Sequence, residues 1–87
     1  MGSEKFIEKA KDIVYDYAIR HLDITDKIME PEVYVVLYSY VLGSQKALLS
    51  TTLPDGMYYE VTYNAEKKEI YLDAYKKFEN VCIKVGE

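Results

Sequence analysis

The 87-residue chain has no tryptophan, one histidine, one cysteine, two prolines and four glycines, and each scarcity removes a class of explanation. Cys82 stands alone, so no internal disulfide can staple the fold, and a small domain without disulfides belongs in a reducing compartment, with the cytoplasm as the expectation. The glycines at 2, 43, 56 and 86 spell neither a GxGxxG run nor a P-loop, which excludes nucleotide binding by a phosphate loop. Apolar runs stop well short of the roughly 18 residues a membrane span requires, and no charged-then-apolar leader opens the chain. Cations are also in deficit: 11 Lys and Arg against 15 Asp and Glu give a formal charge of -4, the wrong sign for a general nucleic-acid binder.

What is abundant is tyrosine, with ten in the chain and eight of them between Tyr34 and Tyr75. An apolar ring with a polar tip serves equally in a half-wet core and on a surface that grips another molecule. Sorting the tyrosines between those two jobs requires the register of the segments that carry them.

A chain of this length holds one domain, residues 1–87, around one small core. From Glu4 to about His21, Phe6, Ile7, Ala10, Ile13, Val14, Tyr17 and Ala18 recur at helical spacing, with charged residues on the opposite side. Ser3 is the expected cap, Glu4 favours the positive end of the helix dipole, and His21 near the other end suits capping or packing. Residues 22–32 read as an acidic connection that ends where Pro31 disfavours helix at Glu30. It lacks the alternating oxygen ligands and turn glycine of a Ca²⁺ loop, so no metal is expected there.

Charge then vanishes from Val33 to Leu42, in a β-branched and aromatic run typical of a strand. Turn signals at Gly43-Ser44, at Pro54-Asp55-Gly56 and after Asn64 separate strands at about 33–42, 45–53, 57–64 and 69–76. Val81, Ile83 and Val85 alternate as a candidate fifth strand at 81–85, after a bend at Phe78-Glu79-Asn80, with Cys82 read as a small buried hydrophobe. The expected fold is therefore α+β: one N-terminal amphipathic helix on one face of a four- to five-stranded antiparallel meander.

A two-residue turn at Gly43-Ser44 sets Tyr40 opposite Ala47 and Tyr38 opposite Leu49; a three-residue turn sets Leu49 opposite Val61; a four-residue turn sets Val61 opposite Leu72. Opposed residues share a face. Val36, Tyr38, Tyr40, Ala47, Leu49, Tyr59, Val61, Tyr63, Ile70 and Leu72 then lie under the helix. The other face collects Val33, Val35, Leu37, Val41 and Leu48 toward the first strand, and Tyr58, Glu60, Thr62, Tyr71, Asp73 and Tyr75 toward the last. The apolar group Val35, Leu37, Val41 and Leu48 needs a cover: Ile24, Ile28 and Met29 of the connection, the Val81, Ile83 and Val85 tail, a second copy, or a different partner. The tyrosine group is the candidate partner-binding surface.

No catalytic constellation emerges, and no cofactor is implied. Ser50, His21 and Asp73 supply the residue types of a hydrolytic triad without a strained nucleophile elbow or an oxyanion hole. Glu60 and Asp73 share the open face as two acids, a pattern more typical of solvated residues than of an acid–base pair. Base stacking on the tyrosines would need cations along the phosphates, and Lys46 is the one basic residue from Tyr34 to Asn64, so nucleic acid ranks below protein as a partner.

The stretch KALLSTTLPDGMYYEVTYN from Lys46 to Asn64, continued by EIYLDAYKKFENV from Glu69 to Val81, resembles a family of small phage and prophage proteins classed as a domain of unknown function. The resemblance covers most of the chain and implies a viral or prophage setting, with no activity and no functional residues to carry over. Phe78 stands where some relatives are expected to have tryptophan, which keeps an aromatic anchor. A weaker likeness joins the helix-on-meander plan to PepSY and cystatin-like domains, through Tyr58 to Val61 and Ile70 to Ala74; it breaks off where Tyr75-Lys76-Lys77 replaces the usual turn. The expected function is a non-enzymatic protein-binding module, phage-encoded, that occupies a host or phage protein of defence or regulation. A homodimeric accessory protein is the first alternative, and a small-ligand binder or enzyme using the open face is the second.

Overall fold

The computed structural model describes residues 1–21 and 30–86. The part of the acidic connection from 22 to 29, including Ile24, Ile28 and Met29 as candidate cover, lies outside the described residues. Helix α1 (Ser3–Arg20) precedes strands β1 (Val33–Val41), β2 (Ser44–Thr51), β3 (Met57–Asn64) and β4 (Glu69–Lys76). The strands stand side by side in chain order and every pair is antiparallel, which is the expected meander.

The helical stripe does what its spacing predicts. Phe6, Ala10, Val14 and Ala18 are buried, with Ile7 and Tyr17 packed half-buried beside them, and α1 lies chiefly over β1, β2 and β3. Beneath it Ala47, Leu49, Tyr59 and Val61 of the two central strands complete the core. Each fully buried large apolar side chain of this kind contributes about 1.5–3 kcal/mol. Gln45 is the large polar exception, and both ends of its amide are satisfied: the Tyr38 hydroxyl donates to its oxygen at 2.6 Å and its nitrogen donates to the Met1 carbonyl at 2.7 Å. That pair of bonds ties the N-terminus of α1 to the first hairpin. At the other end His21 closes the helix: its Nδ1–H donates to the Tyr17 carbonyl at 2.8 Å and its ring stacks on Tyr17. The start differs from expectation. Gly2 occupies the cap position and Ser3 is already helical, with no side-chain cap bond.

The register shows where turn chemistry misleads. Leu42 and Gly43 are the two turn residues of the first hairpin, both at positive φ (50° and 81°), the signature of a type I′ turn and not a type II′ turn beginning at Gly43. Tyr40 therefore faces Gln45 and Tyr38 faces Ala47, two residues off the expected pairing. The second hairpin is offset by the same amount, with Leu49 opposite Tyr59 and Ala47 opposite Val61: its pairing ends at Ser50 and Tyr58, so the loop is longer than three residues, while Thr52 continues the line of β2 beside β1, its N–H donating to the Glu32 carbonyl at 3.0 Å. The third hairpin has the expected pairing of Val61 with Leu72. A two-residue slip leaves every side chain on its face, since the strand period is two.

A bulge between Val35 and Leu37 does change faces. Val33 and Val35, expected on the open side, pack against the core, while Val36 is exposed and Tyr34 turns outward in line with Ser50. The apolar outer patch is consequently Tyr34, Leu37, Val41 and Leu48, without Val35.

Residues 77–86 form no fifth strand, and no bend occurs at Phe78-Glu79-Asn80. Lys77 still donates its N–H to the Gly56 carbonyl at 2.8 Å, continuing the line of β4, after which every residue to Gly86 is exposed. Phe78 is 96% exposed and anchors nothing within the described residues, and Cys82 is exposed, not buried. The Cα radius of gyration, 15.2 Å, accordingly exceeds the ~12 Å of a compact chain of this length.

Candidate functional site

The corrected register arranges the outer face as rows running across the sheet. One row is Tyr34, Ser50, Tyr58, Tyr75; the next is Leu37, Leu48, Glu60, Asp73; the third is Ser39, Lys46, Thr62, Tyr71. All six residues expected at the partner surface, Tyr58, Glu60, Thr62, Tyr71, Asp73 and Tyr75, thus form one contiguous block on β3 and β4. Sequence reasoning missed Tyr34, which the bulge adds to the first row. It also missed Glu69 at the margin: the Tyr71 hydroxyl has a raised pKa, first from partial desolvation and then from the Glu69 carboxylate. No sequence signal marks the bulge, because Val33 to Leu37 is apolar at every position and offers no alternation to lose.

The block has an unusual electrostatic feature. Glu60 and Asp73 are directly opposed across β3 and β4, and like charges so placed destabilise a sheet. Lys46, exposed, offsets half-buried Glu60 at 3.4 Å, a surface pair of small value, while no ion pair reaches Asp73 among the described residues. Tyrosines flank the two acids: Tyr58 and Tyr75 oppose each other in the row before, and Tyr71 opposes Thr62 in the row after. Tyr71 and Tyr75 are 46% and 51% exposed. Toward β1 the same face turns apolar, and a shallow concavity of about 270 Å³ opens between Leu37, Lys46, Leu48 and Glu60.

Ser50 donates to the Met57 carbonyl at 2.9 Å on the outer side, whereas His21 sits at the end of α1 across the sheet, so the drawn triad is not assembled. No three His, Cys, Asp or Glu residues gather as a metal set among the described residues, and no described helix is long and apolar enough to cross a membrane. A second concavity, about 220 Å³, lies by the end of α1 between Tyr17, His21, Asp55, Tyr59 and Lys76. There Tyr59 meets Tyr17 edge-on, and burial, then Asp55, raises its hydroxyl pKa.

The model of one protein family matches residues 7–85, which spans the helix beyond its first turn, all four strands and nearly all of the segment beyond them. The chain belongs to DUF6275, a family of unknown function. The DUF6275 match includes residues 77–85, so the unpaired segment is part of the family's domain and not an addition to it. No curated protein and no solved structure matches the chain, and DUF6275 brings no activity with its name.

Proposed function

We propose that this chain is a non-enzymatic protein-binding module that grips its partner with the tyrosine and carboxylate block of β3 and β4. The observation that carries the reading is the opposition of Glu60 and Asp73 between rows of tyrosine. A free domain gains nothing from two like charges held side by side, whereas a partner's lysine or arginine would relieve the repulsion and stack on the rings. Tyrosine, serine and threonine also supply contact area and hydrogen bonds at low cost in side-chain entropy. The reading extends the resemblance to phage and prophage proteins: the partner is a host or phage protein of defence or regulation, met in the cytoplasm.

The test is affinity capture from host lysate with the wild-type chain and with Tyr71→Ala/Tyr75→Ala. A partner recovered in stoichiometric amount by the wild type and lost by the variant supports the assignment; equal recovery by both removes this face from consideration. A second reading, a homo-oligomeric accessory protein, is favoured by the apolar end of the same face at Leu37, Val41 and Leu48.

A further inference from the structure

We propose that residues 77–86 are an exchange arm: Val81–Val85 of one copy adds as a parallel strand to the free edge of β1 in a second copy, and the second copy reciprocates. The free edge of β1 is the natural acceptor. It runs nine residues without a charge, and among the described residues the bulge at Val36 is its one device against pairing, whereas proteins ordinarily protect such an edge with lysine, proline or a cover. In a two-residue hairpin the residues flanking the turn exchange both hydrogen bonds, so Tyr38 and Tyr40 direct their backbone groups outward. The arm is the natural donor, because Val81, Ile83 and Val85 alternate as strand residues do and are all exposed. The family match takes in this segment, so the domain includes a strand-patterned piece that its own sheet leaves unused.

Geometry closes the exchange. Lys76 is level with Met57 at the end of the sheet where β1 begins, and Lys77 continues the line of β4 away from that end. A second copy, inverted about a two-fold axis normal to the sheet, presents its β1 beside this line and running the same way. Lys77–Asn80 spans about 13 Å at ~3.3 Å per residue, enough to clear the loops at the junction before Val81 meets the strand. The same operation returns the second arm to the first copy's β1, so the contact is isologous and stops at two. Charge agrees with this placement: Lys76 and Lys77 reach the junction where the partner copy presents Glu30 and Glu32, both exposed.

Sedimentation velocity of the full chain over a concentration series tests the proposal. The expected result is a dimer at tens of micromolar that becomes monomeric, at least ten-fold weaker, in Cys82→Pro/Ile83→Pro, because one of two adjacent N–H groups must face β1. Thermal melting of that variant at a concentration where the wild type is monomeric should match the wild type, since the arm touches no core residue. Glu32→Lys should weaken the dimer several-fold and Glu32→Lys/Lys77→Glu should restore it. A wild-type monomer at tens of micromolar, including one whose arm is protected by its own β1, overturns the proposal. So does a dimer indifferent to Cys82→Pro/Ile83→Pro, and failure of the charge exchange to rescue overturns the parallel placement.

Discussion

Both edges of this sheet are exposed strands of similar length, yet they are finished differently. Along eight residues β4 carries Glu69, Asp73 and Lys76, while β1 carries no charge in nine. The helix reverses the contrast on the inner face, since α1 shields β1, β2 and β3 and leaves β4 with half-buried Ile70 and Leu72. Water-compatible finishing goes to the strand that the helix covers least. The edge strand it covers better has the bare edge and, at Leu37 and Val41, the bare outer face. A domain of this size has a single core to spend on folding, and the β1 side is where apolar surface is left over.

The largest effect that could break this comparison is in the core. Phe6→Ala, which removes a fully buried ring set 6.0 Å from that of Tyr38, should cost about 3–5 kcal/mol in urea unfolding. Ile70→Ala, half-buried on β4, should cost clearly less, and an equal or larger cost would mean that β4 is covered at least as well as the β1 side. Next comes the first hairpin, where Leu42 holds φ 50° while 98% exposed. Leu42→Asn creates the Asn-Gly pair that a type I′ turn prefers and should stabilise by about 1 kcal/mol, read as a raised melting temperature. No gain would place the strain elsewhere.

On the β4 side, Asp73→Lys sets a cation opposite Glu60 and should stabilise the free domain by roughly 0.2–1 kcal/mol while abolishing partner capture. A variant that is stabilised and still binds would separate the acidic pair from function. The smallest effect concerns Tyr59. Its pKa is raised by burial, so the folded state holds the phenolic proton after an unfolded chain has released it. Stability from this group is intact below about pH 10 and falls as pH rises from there through the folded value. Tyr59→Phe should show a shallower alkaline loss in pH-dependent melting, and an unchanged slope would assign that loss to other groups.

Much of this was legible in the sequence, for reasons visible in particular residues. Phe6, Ala10, Val14 and Ala18 announce the helix because one period governs all of them. The six outer residues of β3 and β4 keep their face although the second hairpin is two residues off, because an even slip preserves parity. The misplaced residues follow from one-residue events. Positive φ at Leu42 is unexpected of a γ-branched side chain, and the bulge at Val36 moves Val33, Tyr34 and Val35 to opposite faces with no pattern to betray it. The segment at 81–85 shows strand alternation and forms no strand, which periodicity cannot foresee, since it describes a residue's preference and not its partner's address.

Amide hydrogen exchange, resolved along β1 and β4 at two protein concentrations, tests the asymmetry of the two edges most directly. The outward amides of Tyr38 and Tyr40 should be protected at high concentration and exchange freely on dilution, while the free edge of β4 exchanges at the same rate in both. Exchange at Tyr38 and Tyr40 that ignores concentration, or protection that appears equally on β4, would contradict the account.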